Sequence, residues 1–556
     1  MTNPLKRGDI WLANLDPTQG SEQAGVRPVI IFQNDIVSQF STTTIAIPLT
    51  TNQRRAALPI CMLIRQGEGG LSQDSTDYFI LLLGTLSPFT KKRNQKLKAL
   101  YIFFIFAPSS CLLSLIEELG PNANMSTQER QNFIVRSFTD NYSDLIAADP
   151  NAWRGKFRKM AETPLAFYRG SAALFYADIS QDKDPFLNER TSRVWIQGDL
   201  HAENFGTYMN GKGILVFDVN DFDEAYVAPF NWDVKRFCAS LALIGYQKAL
   251  SDAEIREVVA QGARSYAQQI ARFANGGDHN FALTLDNTTG PLRQVLYSAR
   301  QLTRVGLLEM ETDIVDGDRR FKSNKMIAPV DEAMRKKVEA ALLEYYNTIP
   351  NRKRRSKLTY EIKDVALRRG LGIGSAGLKI YSILIEGENQ ALENDLIISM
   401  KIARPSAAEP YIHDEDAKRY FISEGHRTSV SQRALQANAD PFLGYTTLDG
   451  NSMFVTEISP YTADLEWDNI NDMDDIMEVI DYLGKCVAKI HCCSDDDSDQ
   501  TLINYSIEDA INAVLYGKET EYVNYMTDFG EQYAAKVRED HRIFVDAFRN
   551  HLIGGL

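Results

Sequence analysis

Two short stretches constrain this chain more than anything else in it. Gly198-Asp199-Leu200-His201-Ala202-Glu203-Asn204 sets an Asp and an Asn five residues apart, and Asp221-Phe222-Asp223 follows after the apolar run Ile214-Leu215-Val216-Phe217. The run reads as a strand that delivers Asp218 and Asp221 to one place. Asp and Asn are ordinary loop residues, but two such stretches in this order ask for a fold whose loops converge. The residue types suit phosphate chemistry. A carboxylate beside a hydroxyl can take its proton, while an amide oxygen and a second carboxylate can hold magnesium against phosphate oxygens.

A third stretch lies far downstream. Arg369-Gly370-Leu371-Gly372-Ile373-Gly374-Ser375-Ala376-Gly377 contains G-x-G-x-x-G, formed by Gly372, Gly374 and Gly377. A dinucleotide-binding fingerprint opens a helix. Here Leu378-Lys379-Ile380-Tyr381-Ser382-Ile383-Leu384-Ile385 and then Glu386-Gly387-Glu388-Asn389 read as strand and turn. A glycine loop between two strands lets backbone N–H groups approach phosphate oxygens. Leu396-Ile397-Ile398-Ser399-Met400-Lys401-Ile402 is a further strand. Its Lys401 is the candidate cation for those phosphates, with Glu409 or Glu424 as carboxylate partner.

The Asp199 and Asp221 stretches resemble the small-molecule kinases of the aminoglycoside phosphotransferase type, which share the protein-kinase fold. The resemblance implies Asp199 as base, Asn204 and Asp221 as metal ligands, and Asp233 as a brace for the catalytic loop, with ATP and magnesium as cofactors. Gln197 stands where that family often has His. The gap from Asn204 to Asp221 is long, so Asp218 competes as ligand, with Asp223 nearby. The glycine loop and lysine follow the catalytic loop rather than precede it, which a circular permutation explains. The expectation is an α+β chain with a circularly permuted, protein-kinase-like two-lobe fold. A helical lobe (125–357) comes first and a glycine-loop β lobe (358–449) second. Residues 450–556 then supply a hinge at Met453-Phe454-Val455-Thr456-Glu457-Ile458 and C-terminal helices, one of them at 476–491.

About 125–556 also resembles the bacterial family called domain of unknown function 2252. The likeness rests on Phe167-Tyr168-Arg169-Gly170-Ser171-Ala172, the two stretches above with Lys235-Arg236, the glycine loop, and Gln432-Arg433 through Phe442-Leu443-Gly444-Tyr445. It brings no substrate, and Thr456-Glu457-Ile458 departs from it.

The beginning follows another pattern. Lys6-Arg7-Gly8-Asp9-Ile10-Trp11, Asp16-Pro17-Thr18-Gln19-Gly20-Ser21-Glu22, Arg27-Pro28-Val29-Ile30-Ile31 and Ile47-Pro48-Leu49-Thr50-Thr51 resemble a PemK/MazF-type toxin, an endoribonuclease with a small β-barrel. The resemblance implies that Arg27 and Thr50 carry RNA cleavage. It reads as a truncated barrel over 1–75, joined by a junction of frameshift or fusion origin (76–124) to a natural-looking start at Met125-Ser126-Thr127, where Ser126 is a helix cap.

At 556 residues more than one domain is expected, and a formal net charge of −14 leaves no global footprint for nucleic acid. RNA or DNA would be met only through the toxin-like region. Arg352-Lys353-Arg354-Arg355 reads as a solvated connector, and Ser494-Asp495-Asp496-Asp497-Ser498-Asp499 as an exposed loop. His201 reads as a packing residue of its loop, and His491 as a helix end. Cys61, Cys111, Cys238, Cys486, Cys492 and Cys493 lack zinc-ligand spacing, and with no signal peptide the expected place is the cytoplasm. Residues 99–116 carry no charge but are interrupted by Pro108, Ser109 and Ser110, so a linker or packed segment is expected rather than a membrane anchor. The function expected is an ATP- and magnesium-dependent phosphotransferase of unknown acceptor. The style of the catalytic loop tilts towards a small hydroxylated one, with a protein acceptor or nucleotidyl transfer from the same ATP site also open. Endoribonuclease activity of the first region and a nucleotide-binding pseudokinase are the alternatives.

Overall fold

A computed structural model describes the strand residues between 10 and 91 and residues 125–277, 281–369, 378–494 and 500–555. The chain divides into two compact units between Pro121 and Asn122. The first is an antiparallel sheet of β1 (Ile10–Asn14), β2 (Val26–Ile31), β3 (Thr43–Thr50), β4 (Leu63–Ile64), β5 (Ser75–Asp77), β6 (Leu82–Thr85) and β7 (Thr90–Lys91). The strand order is β4-β5-β3-β2-β1-β7, with β6 also paired to β3. Val29 of β2 is fully buried. The sheet therefore runs past Ser75, into the stretch expected to be a junction. The apolar run at 99–116 lies outside the described residues.

The second unit opens with α1 (Thr127–Ala148), whose N-terminus is closed by a capping box between Ser126 and Glu129. Then come α2 (Pro150–Met160), α3 (Pro164–Arg169) and α4 (Ala172–Ile179). Two small antiparallel pairs follow: β8 (Val194–Ile196) with β11 (Tyr226–Ala228), and β9 (Phe205–Met209) with β10 (Leu215–Val219). Helix α5 (Phe230–Gln247) is buried on every side from Phe230 to Gly245, as a helix must be when it forms the centre of a helical core. Around it pack α6 (Asp252–Ala274), α12 (Met473–Cys492) and α14 (Glu519–Arg549). Arg130 of α1 ties this core together. Its guanidinium donates to Asp178 at 2.8 and 2.7 Å and to Asp540 of α14 at 2.8 and 2.6 Å.

After α7 (Gly290–Arg300) and α8 (Arg304–Glu311) the chain builds sheet. A hairpin of β12 (Thr312–Val315) and β13 (Asp318–Phe321) precedes a six-stranded antiparallel sheet. Its strands are β14 (Ile327–Pro329), β15 (Ile362–Arg368), β16 (Ile380–Ile385), β17 (Leu396–Ile402), β18 (Gly444–Leu448) and β19 (Asn451–Glu457), in the order β14-β15-β16-β17-β19-β18. Helix α9 (Glu332–Thr348) covers one face, where Val338, Leu342 and Tyr345 share a core with Ile383, Ile398, Met400 and Val455. The sheet-bearing part is thus wider than 358–449 at both ends. The remaining helices are α10 (Glu415–Tyr420), α11 (Glu424–Leu435) and α13 (Ile507–Leu515).

Two expectations need adjustment. Residues 453–457 are not a connection but part of β19, which is hydrogen-bonded to β17 on one side and β18 on the other. The chain leaves the sheet at Ile458 and reaches the helical part at Ala463, whose carbonyl accepts from the Thr207 N–H at 2.9 Å. The glycine loop, with Gly372, Gly374 and Gly377, lies outside the described residues. Its flanking strands are described. Arg368 of β15 pairs with Ile380 of β16, so the loop joins two strands of one antiparallel pair as expected.

Candidate functional site

One face of α5 holds the Asp199 loop. Asp233, Arg236 and Ser240 sit at positions i, i+3 and i+7, the spacing that lines up side chains on one side of a helix. Asp233 accepts the backbone N–H of Gln197 at 2.7 Å and of Gly198 at 3.0 Å. Ser240 Oγ accepts the N–H of Ala202 at 2.9 Å. Arg236 Nε donates to Asp199 Oδ1 at 2.7 Å, and Arg236 Nη2 also bonds that oxygen. Asp233 is the expected brace. His491, at the end of α12, is more than a helix terminus: it is fully buried, with Nδ1 2.8 Å from the Tyr266 hydroxyl and Nε2 3.4 Å from Asp233 Oδ2. Burial and the nearby Arg169 and Arg236 push the His201 imidazole well below its usual range, so it packs as a neutral ring.

Gly198 is required where it stands. Its φ is +84°, and a Cβ there would lie 2.1 Å from the Glu224 carbonyl oxygen. That approach brings the Asp199 loop against the Asp221 loop. The Gln197 side chain bonds the carbonyls of Asn220 and Asp221, and Asp221 itself holds a left-handed backbone, φ 53°. Asn204 completes the junction. Its Nδ2 donates to the Asp199 carbonyl at 2.9 Å, and its own carbonyl accepts the Asn220 N–H at 3.0 Å. The amide nitrogen is thereby committed, which leaves Oδ1 as the atom of Asn204 for a cation.

The sheet contributes Lys401, which pairs with Asp223. Neither expected carboxylate is its partner. Glu424 bonds Arg427 one turn along α11 at 2.8 Å, and Glu409 lies in a short 3-10 turn. Arg427, buried, instead fixes the Asp221 loop to the sheet side: its guanidinium donates to the carbonyls of Ala225 (2.5 Å), Asp223 (2.9 Å) and Arg404 (2.6 Å). Glu224 accepts the Ala407 N–H at 2.5 Å. Asp218 takes no part in this cluster. It is buried on β10 and pairs with Lys489 of α12, with the Tyr208 hydroxyl 3.4 Å away.

The electrostatics follow from crowding. Burial raises Asp199 to about 6 against the pull of Arg236, and Asp221 raises it further. Asp221 is exposed to solvent, yet surrounding protein and then Asp223 push it upward, with Lys401 opposing. Glu224 is raised to about 7 by burial. Several carboxylates that resist ionising together form a place where positive charge is favoured. Among the described residues no three Asp, Glu, His or Cys side chains converge as a closed metal cage. The donors available are one carboxylate, Asp221, and one amide oxygen, Asn204. That set suits magnesium, which keeps waters and binds through one or two carboxylates plus substrate phosphates.

Arg236 was legible only as half of a basic pair. Its guanidinium lies 4.4 Å from the Tyr168 ring centroid and 5.1 Å from that of Phe175, and is fully buried. An arginine three residues after Asp233, on the same helix face, is the signal that marks it. In the first unit, Arg27 and Thr50 lie on β2 and β3. The two strands are neighbours, paired from Val29↔Pro48 to Ile31↔Ala46; beyond that ladder Arg27 pairs with Ala13 of β1 and Thr50 with Thr76 of β5.

Two family models match the chain. One, described as "Uncharacterized protein conserved in bacteria (DUF2252)", matches residues 148–547. The other, PemK-like, MazF-like toxin of type II toxin–antitoxin systems, matches residues 6–83. Among curated proteins, an endoribonuclease MazF of Staphylococcus epidermidis is 40% identical over 89 residues, which are 16% of this chain and 71% of that protein.

Proposed function

We propose, for a chain that belongs to the DUF2252 family and whose first unit belongs to the PemK/MazF-like toxin family, that the second unit is an ATP- and magnesium-dependent phosphotransferase with a permuted protein-kinase-like fold. The observation that carries the reading is the Lys401–Asp223 pair. It joins a strand lysine, placed after a glycine-loop hairpin, to the acidic loop 178 residues earlier, beside Asp199 and Asn204. The parts of a phosphoryl-transfer site are then together despite their reversed order in the chain.

Asp199 takes the proton of an acceptor hydroxyl as that oxygen bonds the γ-phosphorus and the bond to the leaving β-phosphate oxygen breaks. Arg236 and the Asp233-braced backbone hold its carboxylate in position. Lys401 orients the phosphates, and Asn204 and Asp221 are the ligands for magnesium. When bound, magnesium neutralises charge on the phosphate oxygens. The catalytic loop is of the small-molecule-kinase style, which favours a small hydroxylated acceptor.

The test is calorimetric titration of the full chain with ATP, with and without magnesium. Wild type should bind in a magnesium-dependent way. Asp221→Ala and Lys401→Ala should each weaken binding at least ~10-fold, about 1.4 kcal/mol. A folded wild-type chain that binds no ATP would end the kinase reading. ATP binding with biological activity untouched by Asp199→Asn would leave a pseudokinase.

A second reading applies to the first unit. The likeness to an endoribonuclease MazF and the placement of Arg27 and Thr50 on the neighbouring strands β2 and β3 support RNA cleavage there. Arg27 would stabilise charge on the phosphorane-like transition state, and Thr50 would sit beside the attacking 2′-hydroxyl. RNA cleavage by the full chain that disappears in Arg27→Ala supports this reading. No cleavage by the wild type sinks it.

A further inference from the structure

The basic run Arg352-Lys353-Arg354-Arg355, expected to be a solvated connector, lines a cavity of about 1260 Å³. Lys212, from the β9–β10 turn, and Arg433, from α11, face the same space. Six cations therefore come from three separate parts of the chain. None of the described residues lining the cavity is Asp or Glu, although the chain as a whole carries a net charge of −14. The lining includes none of Asp199, Asn204, Asp221 or Lys401, so this is not the candidate site above. It does share a wall with it: α11, which lines the cavity through Val430 and Arg433, also holds the Asp223 and Ala225 carbonyls through Arg427.

Some of these cations are already used. Arg354 donates to the carbonyls of Ile349 at 2.8 Å and Asn347 at 2.6 Å and stacks on Tyr346. Arg355 lies 3.7 Å from Glu388. Two others are not satisfied. Arg433 spends one nitrogen on the Leu443 carbonyl at 3.1 Å, while its Nε is buried with no hydrogen-bond partner among the described residues. The Lys353 ammonium has no hydrogen bond among them. Burial, then Arg433 and Arg352, pushes Lys353 below its usual range, and burial does the same to Arg433. His426, on the same wall, is held at about 4 by burial and Arg433, so it adds no charge. A half-buried donor left unmade and cations set against one another are costly unless an anion completes them.

We propose that this cavity binds a small polyanion bearing at least two phosphoryl groups, with Arg433 and Lys353 as its principal contacts and Lys212 at the rim. Guanidinium and ammonium groups converging from several elements match phosphate oxygens in geometry and charge. The volume exceeds what a single inorganic anion fills and lies somewhat above the usual range of about 300–1,000 Å³ for small-molecule sites.

Calorimetric titration of the full chain with tripolyphosphate in the absence of magnesium, on which binding at the proposed ATP site depends, tests this. Saturable 1:1 binding is expected, weakened about tenfold or more by Lys353→Gln and by Arg433→Gln. Lys401→Ala and Arg27→Ala should bind as wild type, which separates this cavity from both proposed catalytic sites. Lys353 is half-buried and not part of a core, so Lys353→Gln keeps the test sound if Arg433→Gln fails to fold. The quadruple variant Asp495→Asn, Asp496→Asn, Asp497→Asn, Asp499→Asn removes the acidic run that follows the lining residue Ser494 in sequence. No saturable binding by either the wild type or this variant overturns the proposal. So does binding that Lys353→Gln leaves unchanged.

Discussion

Asp218 and Lys489 form a buried pair whose energetics can be worked out in advance. The side chains are 2% and 1% exposed, on β10 and α12, and pair across 271 residues of chain. Asp218 has further support from the Val219 N–H at 2.8 Å and the Tyr208 hydroxyl at 3.4 Å. No other hydrogen bond reaches the Lys489 ammonium among the described residues. Removing one partner leaves an ion without compensation in a place water does not reach, which costs about 3–5 kcal/mol. Removing both leaves no orphan. A double apolar replacement of similar volume is close to neutral, or stabilising by ~1–4 kcal/mol. Asp218→Leu and Lys489→Met should therefore each destabilise the second unit by about 3–5 kcal/mol, a third or more of a typical domain's stability. The double variant should recover most of it. The assay is urea unfolding of the full chain, followed by tryptophan fluorescence and read as a double-mutant cycle. The double variant should also retain magnesium-dependent ATP binding, because Asp218 stands apart from the Asp221 cluster. Single costs below ~1 kcal/mol, or additive losses in the double variant, would refute the reasoning about the pair. ATP binding lost only with Asp218 would restore it as a ligand.

Gly198→Ala must overcome both its positive φ and a 2.1 Å approach to backbone. A loss of about 2 kcal/mol or more in thermal unfolding is expected, and on the function proposed above phosphotransfer should fall further because Asp199 moves. Lys156 lies buried over the Tyr142 and Trp153 rings at 5.0 and 4.5 Å, and burial lowers it to about 8 from 10.5. Between those values the unfolded chain binds the extra proton, so stability from this group rises with pH and is deficient below pH 8. Lys156→Met should stabilise the protein by about 3 kcal/mol at pH 7, and the gain should vanish near pH 10.5; equal gains at both pH values would contradict this. Finally, native mass spectrometry of the protein from its own cells should show a species beginning at Met125 if a frameshift or fusion joined the two units, whereas an intact 556-residue product that cleaves RNA excludes that history.

What could be read beforehand was what is written locally. The apolar run at 396–402 is β17, and the helical periodicity at 476–491 lies within α12. Ser126 caps α1 because a Ser three residues before a Glu is a short-range signal. Asp233 could be expected as a brace only through the family resemblance, and it accepts the Gln197 and Gly198 N–H groups of the Asp199 loop. Lys401 could be placed on its strand but not matched to Asp223, since a pair 178 residues apart leaves no periodicity. The same holds for Asp218 with Lys489. Arg352-Lys353-Arg354-Arg355 misled for a related reason: charge runs are usually solvated, and only the folded chain brings Arg433 and Lys212 to the same space.

Arg130 and Asp540 hold one end of the helical core together although 410 residues separate them. During synthesis at the usual 5–20 residues per second, roughly 20–80 s pass between the two leaving the ribosome. In that interval α5 has already emerged with its apolar residues uncovered, while α14, which packs on it, has not yet been made. The sheet between them can close as soon as β19 is out, because its strands lie within 327–457. The nascent chain thus carries a finished sheet behind an unfinished helical core. Truncation before Glu519 removes the helix that packs most extensively on α5.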